Sequence, residues 1–271
     1  MAHPIERLRW AARNDGDGPR LSGLTAARAL GGFNGDPAGL VTACRRLVQR
    51  QPAMAPVWWV TARMLVTPDA PHVEADIIED LLLDDPTGEE VAYFLDGLIP
   101  GEATILLIGP PWYSGDALTR RGDITVLAVD TPVGYGLARA LNHADVDALS
   151  VRDAGIGAAA AAADVVLIDA TGVGPDGIIA ASGARAAAAV AHAAGRHVVV
   201  AAGEATVLPP RMWEAMTAVL DHEDDPWDAE YEFVPLALIE TMVGPTGAME
   251  PARAVSRSDC PIAAELLRPL H

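Results

Sequence analysis

What most constrains this chain is the alternation that begins after Ile99-Pro100-Gly101, where short β-branched runs and helical runs take turns to the end. Strands are expected at Thr104 to Ile108, Ile124 to Val129, Ala148 to Val151, Val165 to Asp169, His197 to Ala201 and Glu232 to Leu236. Helices are expected at Gly134 to Asn142, Ala154 to Ala163, Ile178 to Ala194 and Pro210 to Leu220. Repetition of this kind is the mark of βαβ units around an open, mostly parallel sheet with helices on both faces. The fold class is therefore α/β.

Ahead of that point the pattern is helical from Ile5 to Leu98. The run DPAGLVTACRRLVQR from Asp36 opens with an N-cap residue and a proline, and Leu40, Ala43, Cys44 and Leu47 fall on one face. Further helices are expected at Met54 to Val66, Val73 to Leu83 and Thr87 to Leu98. Proline disfavours helix in the residue before it and glycine frees the turn, so a boundary is expected at the Ile99-Pro100-Gly101 punctuation. That divides the chain into a helical domain, 1–100, and an α/β domain, 101–271.

Composition excludes several chemistries. Acidic residues number 37 against 19 basic ones, for a net charge of −18, and every basic residue is arginine. A chain without lysine has no Schiff-base amine and no phosphate-loop lysine. A surface this acidic repels phosphate backbones, so direct nucleic-acid binding is not expected. Cys44 and Cys260 stand far apart with no C-x-x-C spacing, which reads as structural thiols in a reducing compartment. The charged start, MAHPIERLRW, and the interruption of the most apolar stretch by Asp164 argue against export and against a membrane span. A cytoplasmic protein is expected, with no cofactor motif in view. His192 and His197 fall in different elements and do not suggest a metal site, and the acidic run from Asp221 to Asp225 reads as a solvated loop.

In an open parallel sheet ligands bind beyond the carboxyl ends of the strands. The residues there include Gly109, then Asp130-Thr131, Arg152-Asp153, Asp169-Ala170-Thr171 and Gly203-Glu204. If Asp130, Asp153, Asp169 and Glu204 converge, mutual repulsion raises a carboxyl pKa into the range of a general acid or base. Asp153 reads first as a helix cap, and Asp169 equally as cap or acid. The segment from Thr171 through Gly172, Gly174 and Asp176 to Gly177 can present backbone N–H groups to an anion, or it is an ordinary tight connection.

The stretch ADVVLIDATGVGPDGIIAASGARAAAAVAHAAGRHVVVAAGEATVLP, Ala163 to Pro209, resembles the alpha, beta and delta regulatory subunits of eukaryotic translation initiation factor 2B. Their relatives include methylthioribose-1-phosphate isomerase and ribose-1,5-bisphosphate isomerase. RLSGLTAARAL from Arg20, QPAMAPVWWVTARML from Gln51 and YEFVPLALIETMVGPTGAMEP from Tyr231 are similar in the same order. The resemblance implies a helical N-terminal domain, a Rossmann-like C-terminal domain, and a homodimer or higher homo-oligomer formed through the latter. It also implies losses. The isomerases' cysteine falls on Gly109 and their G-A-D aspartate on Thr171, with Asp169 nearby as a partial substitute. The arginine of an R-P-T motif falls on Gln51, and that of E-[ST]-R-P is missing at Thr131-Pro132. Arg20 is the phosphate-binding candidate that remains. These losses imply a non-catalytic protein that binds a small metabolite, such as a sugar phosphate or nucleotide, or a protein partner. The alternative is a divergent aldose-ketose isomerase using Asp169, Asp130 or Asp153.

Overall fold

The computed structural model describes residues 18–99, 101–220, 225 and 227–268. The charged start, the first helical turns expected from Ile5, Pro100 and residues 221–224 of the acidic run lie outside them.

The front of the described chain is helical: α1 (Gly18–Leu30), α2 (Pro37–Arg50), α3 (Ala55–Val66), α4 (Pro71–Leu83) and α5 (Thr87–Leu98). The Asp36 carboxylate caps α2 by accepting from Gly39 N at 2.9 Å, and proline stands in the first positions of α2, α3 and α4. Proline suits those positions because its missing N–H would have had no helical partner there. Trp58 and Trp59 on α3 are fully buried but face different partners. The Trp58 indole donates to Pro52 O at 3.1 Å, whereas that of Trp59 donates to Asp259 Oδ1 at 2.8 Å. The first four helices share their apolar core with Met212, Trp213 and Met216 and with Cys260, Ala263 and Leu266 near the chain's end. Helix α5 packs elsewhere: Val91, Ala92 and Leu95 lie in the cluster that covers one sheet face.

That sheet contains β1 (Thr104–Ile108), β2 (Thr125–Val129), β3 (Asp147–Val151), β4 (Val165–Asp169), β7 (His197–Ala201), β9 (Thr241–Gly244) and β10 (Gly247–Met249). Its spatial order is β10-β9-β7-β4-β1-β2-β3, parallel throughout except for the β9–β10 hairpin. Alternate residues of β1 point to opposite faces, Ile105 and Leu107 toward α5, α6 (Gly115–Thr119) and α7 (Leu137–His143). Leu106 and Ile108 point toward α8 (Ile156–Ala162) and α9 (Ala184–Ala193). Both faces are therefore covered, as near-continuous apolar strands require.

Two sequence expectations need correction, and two strands come in addition. Ile178-Ile179-Ala180-Ala181 does not begin a helix; it forms β6 (Gly177–Ala181), and α9 starts only after Gly183. A short apolar run is as compatible with a buried strand as with a helix, so periodicity could not decide. The strand after the acidic run, β8 (Tyr231–Pro235), does not join the main sheet but pairs antiparallel with β6, which also pairs with β5 (Gly172–Val173). Finally β9 and β10 were not expected. Helix α10 (Pro210–Leu220) has the expected bounds.

Candidate functional site

The order β3-β2-β1-β4 places a topological switch point between β1 and β4, where chain connections leave in opposite directions. Asp169 ends β4 there and is only 2% exposed. Its Oδ2 accepts from Tyr113 N at 2.5 Å and Ser114 N at 3.1 Å, while Oδ1 is buried with no hydrogen-bond partner among the described residues. The two prolines after β1 turn the chain so that these N–H groups face back across the rim. Burial pushes the Asp169 carboxyl up to about 6, against the N–H bonds that favour its charged form.

A second layer of polar groups surrounds it. The Tyr113 hydroxyl is buried without a hydrogen-bond partner among the described residues, and burial together with Asp85 and Asp169 pushes its pKa upward. Asp85, between α4 and α5, accepts from Thr87 N and Oγ1 through Oδ1 and from Glu204 N at 3.0 Å through Oδ2. The Glu204 carboxyl is itself raised to about 6 by burial and by Asp85 and Asp259. So Asp169 and Glu204 do gather around one side chain, Tyr113. Asp130 and Asp153 do other things: Asp130 accepts from Gly136 N at 3.0 Å and Ser150 Oγ at 2.6 Å, fastening the loop after β2 to strand β3. Asp153 is exposed in a 3-10 turn ahead of α8 with no hydrogen bond from its side chain among the described residues.

The remaining residues singled out in the sequence are packed. Gly109 has φ +78°, and a Cβ there would lie 2.6 Å from the Ala181 methyl carbon. Thr131 is buried, with Gly134 closing over its hydroxyl. Thr171 is fully buried, and its hydroxyl donates to Ile179 O at 3.2 Å. Gly172 lies against Ala55 and Met216, and the Trp213 ring sits where a Gly174 side chain would be. That indole donates to Asp176 Oδ1 at 2.6 Å. The 171–177 segment is thus a β5–β6 hairpin filled by an aromatic ring, with no helix directly behind it.

Arg20 and Arg120 line an open cavity of about 440 Å³, together with Asp84, Asp85, Glu89 and Tyr113. Gln51 is 5% exposed and borders a separate cavity beside Arg50 and Tyr231. Sequence reasoning missed Asp85, Tyr113 and Ser114. Their signal was local: an Asp-Pro-Thr turn entering α5, and a Pro-Pro break just past β1. Among the described residues no group of His, Cys, Asp and Glu is arranged to hold a metal ion, and no helix is long and apolar enough to cross a membrane.

A parallel sheet in 3-2-1-4 order, with front helices leaning over the carboxyl rim and a buried aspartate at the switch point, defines a helix-capped protein of the Rossmann-like class. Within that class the chain belongs to the initiation factor 2 subunit family, whose sequence model matches residues 115–251. The fold is similar to that of the Pyrococcus horikoshii OT3 translation initiation factor eIF-2B, with a TM-score of 0.76 at 16% identity, covering 93% of this chain and 98% of that one. It is also similar to a chain of the tetrameric eIF2B-beta2-delta2 complex from C. thermophilum, with a TM-score of 0.69 at 17% identity over 93% and 92% of the two chains. The eIF2B beta subunit of Chaetomium thermophilum aligns over 97% of this chain and 91% of its own, at 18% identity and a TM-score of 0.67. No curated protein matches the sequence.

Proposed function

We propose that this protein is a non-catalytic member of its family that self-associates and holds a small polar metabolite in the cavity beside Arg20. The observation that carries the reading is the packing at position 109. Where the resemblance puts a reactive thiol, a glycine in a left-handed conformation meets the Ala181 methyl group, so no nucleophile fits. At the other catalytic position the Thr171 hydroxyl is turned onto a backbone carbonyl. General acid-base work on a sugar needs a group within reach of the proton it moves.

The Arg20 cavity combines two guanidinium groups with the carboxylates Asp84, Asp85, Glu89 and Asp116. Such a lining suits a ligand with one anionic group for the arginines and several hydroxyl donors for the carboxylates. Sugar monophosphates and nucleotides have that character. Self-association is the reading supported by the C. thermophilum relative, which is a tetrameric complex.

A thermal-shift panel of sugar phosphates, nucleotides and free sugars tests the binding. A true ligand at several hundred times its Kd should stabilise the protein by about 3 to 4 kcal/mol. Arg20→Ala should remove that shift, and no member of the panel should turn over. The second reading, a divergent isomerase, is favoured by the raised pKa of Asp169 at the switch point. Turnover of a ribose-1-phosphate derivative that Asp169→Asn abolishes would overturn the first reading and establish the second.

A further inference from the structure

Farther along the same rim, past the carboxyl ends of β7 and β9, lies a second cleft of about 430 Å³. Its walls are Val207, Met242, Met249 and Ala254, and its charged groups are Glu204, Asp259 and Arg257. Of these only Glu204 touches the site around Asp169, through its N–H bond to Asp85. The Glu204 carboxyl is half-buried and makes no hydrogen bond among the described residues. Behind it, the Tyr113 hydroxyl likewise has no hydrogen-bond partner among the described residues, and the Tyr113 ring fills the space a side chain on Gly203 would need. The Arg257 guanidinium, by contrast, already donates to the Thr246 hydroxyl, and Asp259 holds the Trp59 indole. An apolar slot therefore ends in a carboxylate with no hydrogen bond among the described residues, backed by Asp85 and flanked by Asp259, while the arginine of its lining is hydrogen-bonded to Thr246.

We infer that this cleft binds a small organic amine, its ammonium group on Glu204 and its apolar body against Met242, Met249 and Val207. A half-desolvated carboxylate gains more from a cation than an exposed one, because less water competes for the charge. An anionic ligand would meet the two carboxylates of Glu204 and Asp259 against the one Arg257 guanidinium, and a neutral one would add no charge to offset that excess. Because burial disfavours the charge on Glu204 and Asp85 and Asp259 repel it further, the free carboxyl takes up a proton near pH 6. Amine binding needs it ionised, and so releases that proton. Affinity is expected to fall about tenfold for each pH unit below that midpoint.

The test is isothermal titration calorimetry of the full chain with benzylamine and n-pentylamine, using benzyl alcohol and benzoate as controls. The amines should saturate one site with a Kd below about 10 mM, which corresponds to roughly −3 kcal/mol. The two controls should not bind. Glu204→Gln should weaken the amines at least tenfold while leaving the melting temperature unchanged or higher, since it relieves repulsion from Asp85 and Asp259. Met249→Trp, at a half-buried position on the cleft's edge, is a second probe and should block both amines. The inference is wrong if neither amine saturates, if benzoate binds as well as benzylamine, or if Glu204→Gln binds equally tightly. Arg20→Ala lies in the other cavity and should leave amine binding intact, so failure here and failure of the metabolite site give different results.

Discussion

At the scale of single residues, Asp169 shows how burial and hydrogen bonding oppose one another. Two backbone N–H groups favour its charge, yet the loss of water prevails and the carboxyl titrates near 6. A folded pKa above the unfolded value means that the native state binds the extra proton. Its stabilising contribution is complete below about pH 4 and lost as the pH rises through about 6. Over that window urea denaturation should record a decline of up to about 3 kcal/mol, and Asp169→Asn should flatten it. Asp169→Ala differs, because it strands the N–H groups of Tyr113 and Ser114 in the interior. A loss of about 2 to 4 kcal/mol at neutral pH is expected, measured in the same way. Asp169 was visible in the sequence as a carboxylate at the end of an apolar strand. That its partners would be backbone groups just past β1 was not, because nothing in residue type announces where an N–H points.

At the scale of elements, strands flanked by helices were legible while the second sheet was not. Runs such as Val165–Asp169 and His197–Ala201 carry dense β-branching and clear turn signals on both sides, and their bounds agree with the structure. The β6 segment is poor in strand formers beyond its two isoleucines, and its identity as a strand depends on β8, more than fifty residues later, pairing with it through Ile178 and Val234. Such a distant partner leaves no local trace. The three glycines after Thr171 were likewise legible as unusual but not as to purpose. Their role at Gly174 is to admit the Trp213 ring. This is open to a double-mutant cycle. Gly174→Ala should destabilise the protein strongly with Trp213 present and far less in a Trp213→Ala background, itself about 3 to 5 kcal/mol weaker. Additive effects in chemical denaturation would show that the ring and the glycine are independent.

At the scale of the whole molecule, the helical front shares its core with segments from the end of the chain. Met212, Trp213, Met216, Cys260, Ala263 and Leu266 complete its core, and Arg45 Nη1 reaches Glu265 O at 2.8 Å. Helix α5 meanwhile belongs to the packing of the sheet. The sequence offered a division at residue 100 because Pro100 and Gly101 punctuate it, but punctuation marks a change of direction and says little about which side chains share a core. We expect a single cooperative calorimetric transition for the full chain. A fragment of residues 1–100 alone should show no sigmoidal melt by circular dichroism, since part of its interior would be left facing water. Two resolved transitions, or a folded fragment, would establish independent units instead.

The contact between Gly109 and Ala181 also bears on how such a protein can change. Adding a side chain at 109 alone brings both an unfavourable φ and a collision, whereas trimming 181 alone only opens a hole. Neither single step is an improvement, so a side chain at 109 can be reached only across a valley of lower stability. Laboratory evolution toward a reactive residue at this point would have to start from Ala181→Gly, or change both codons together.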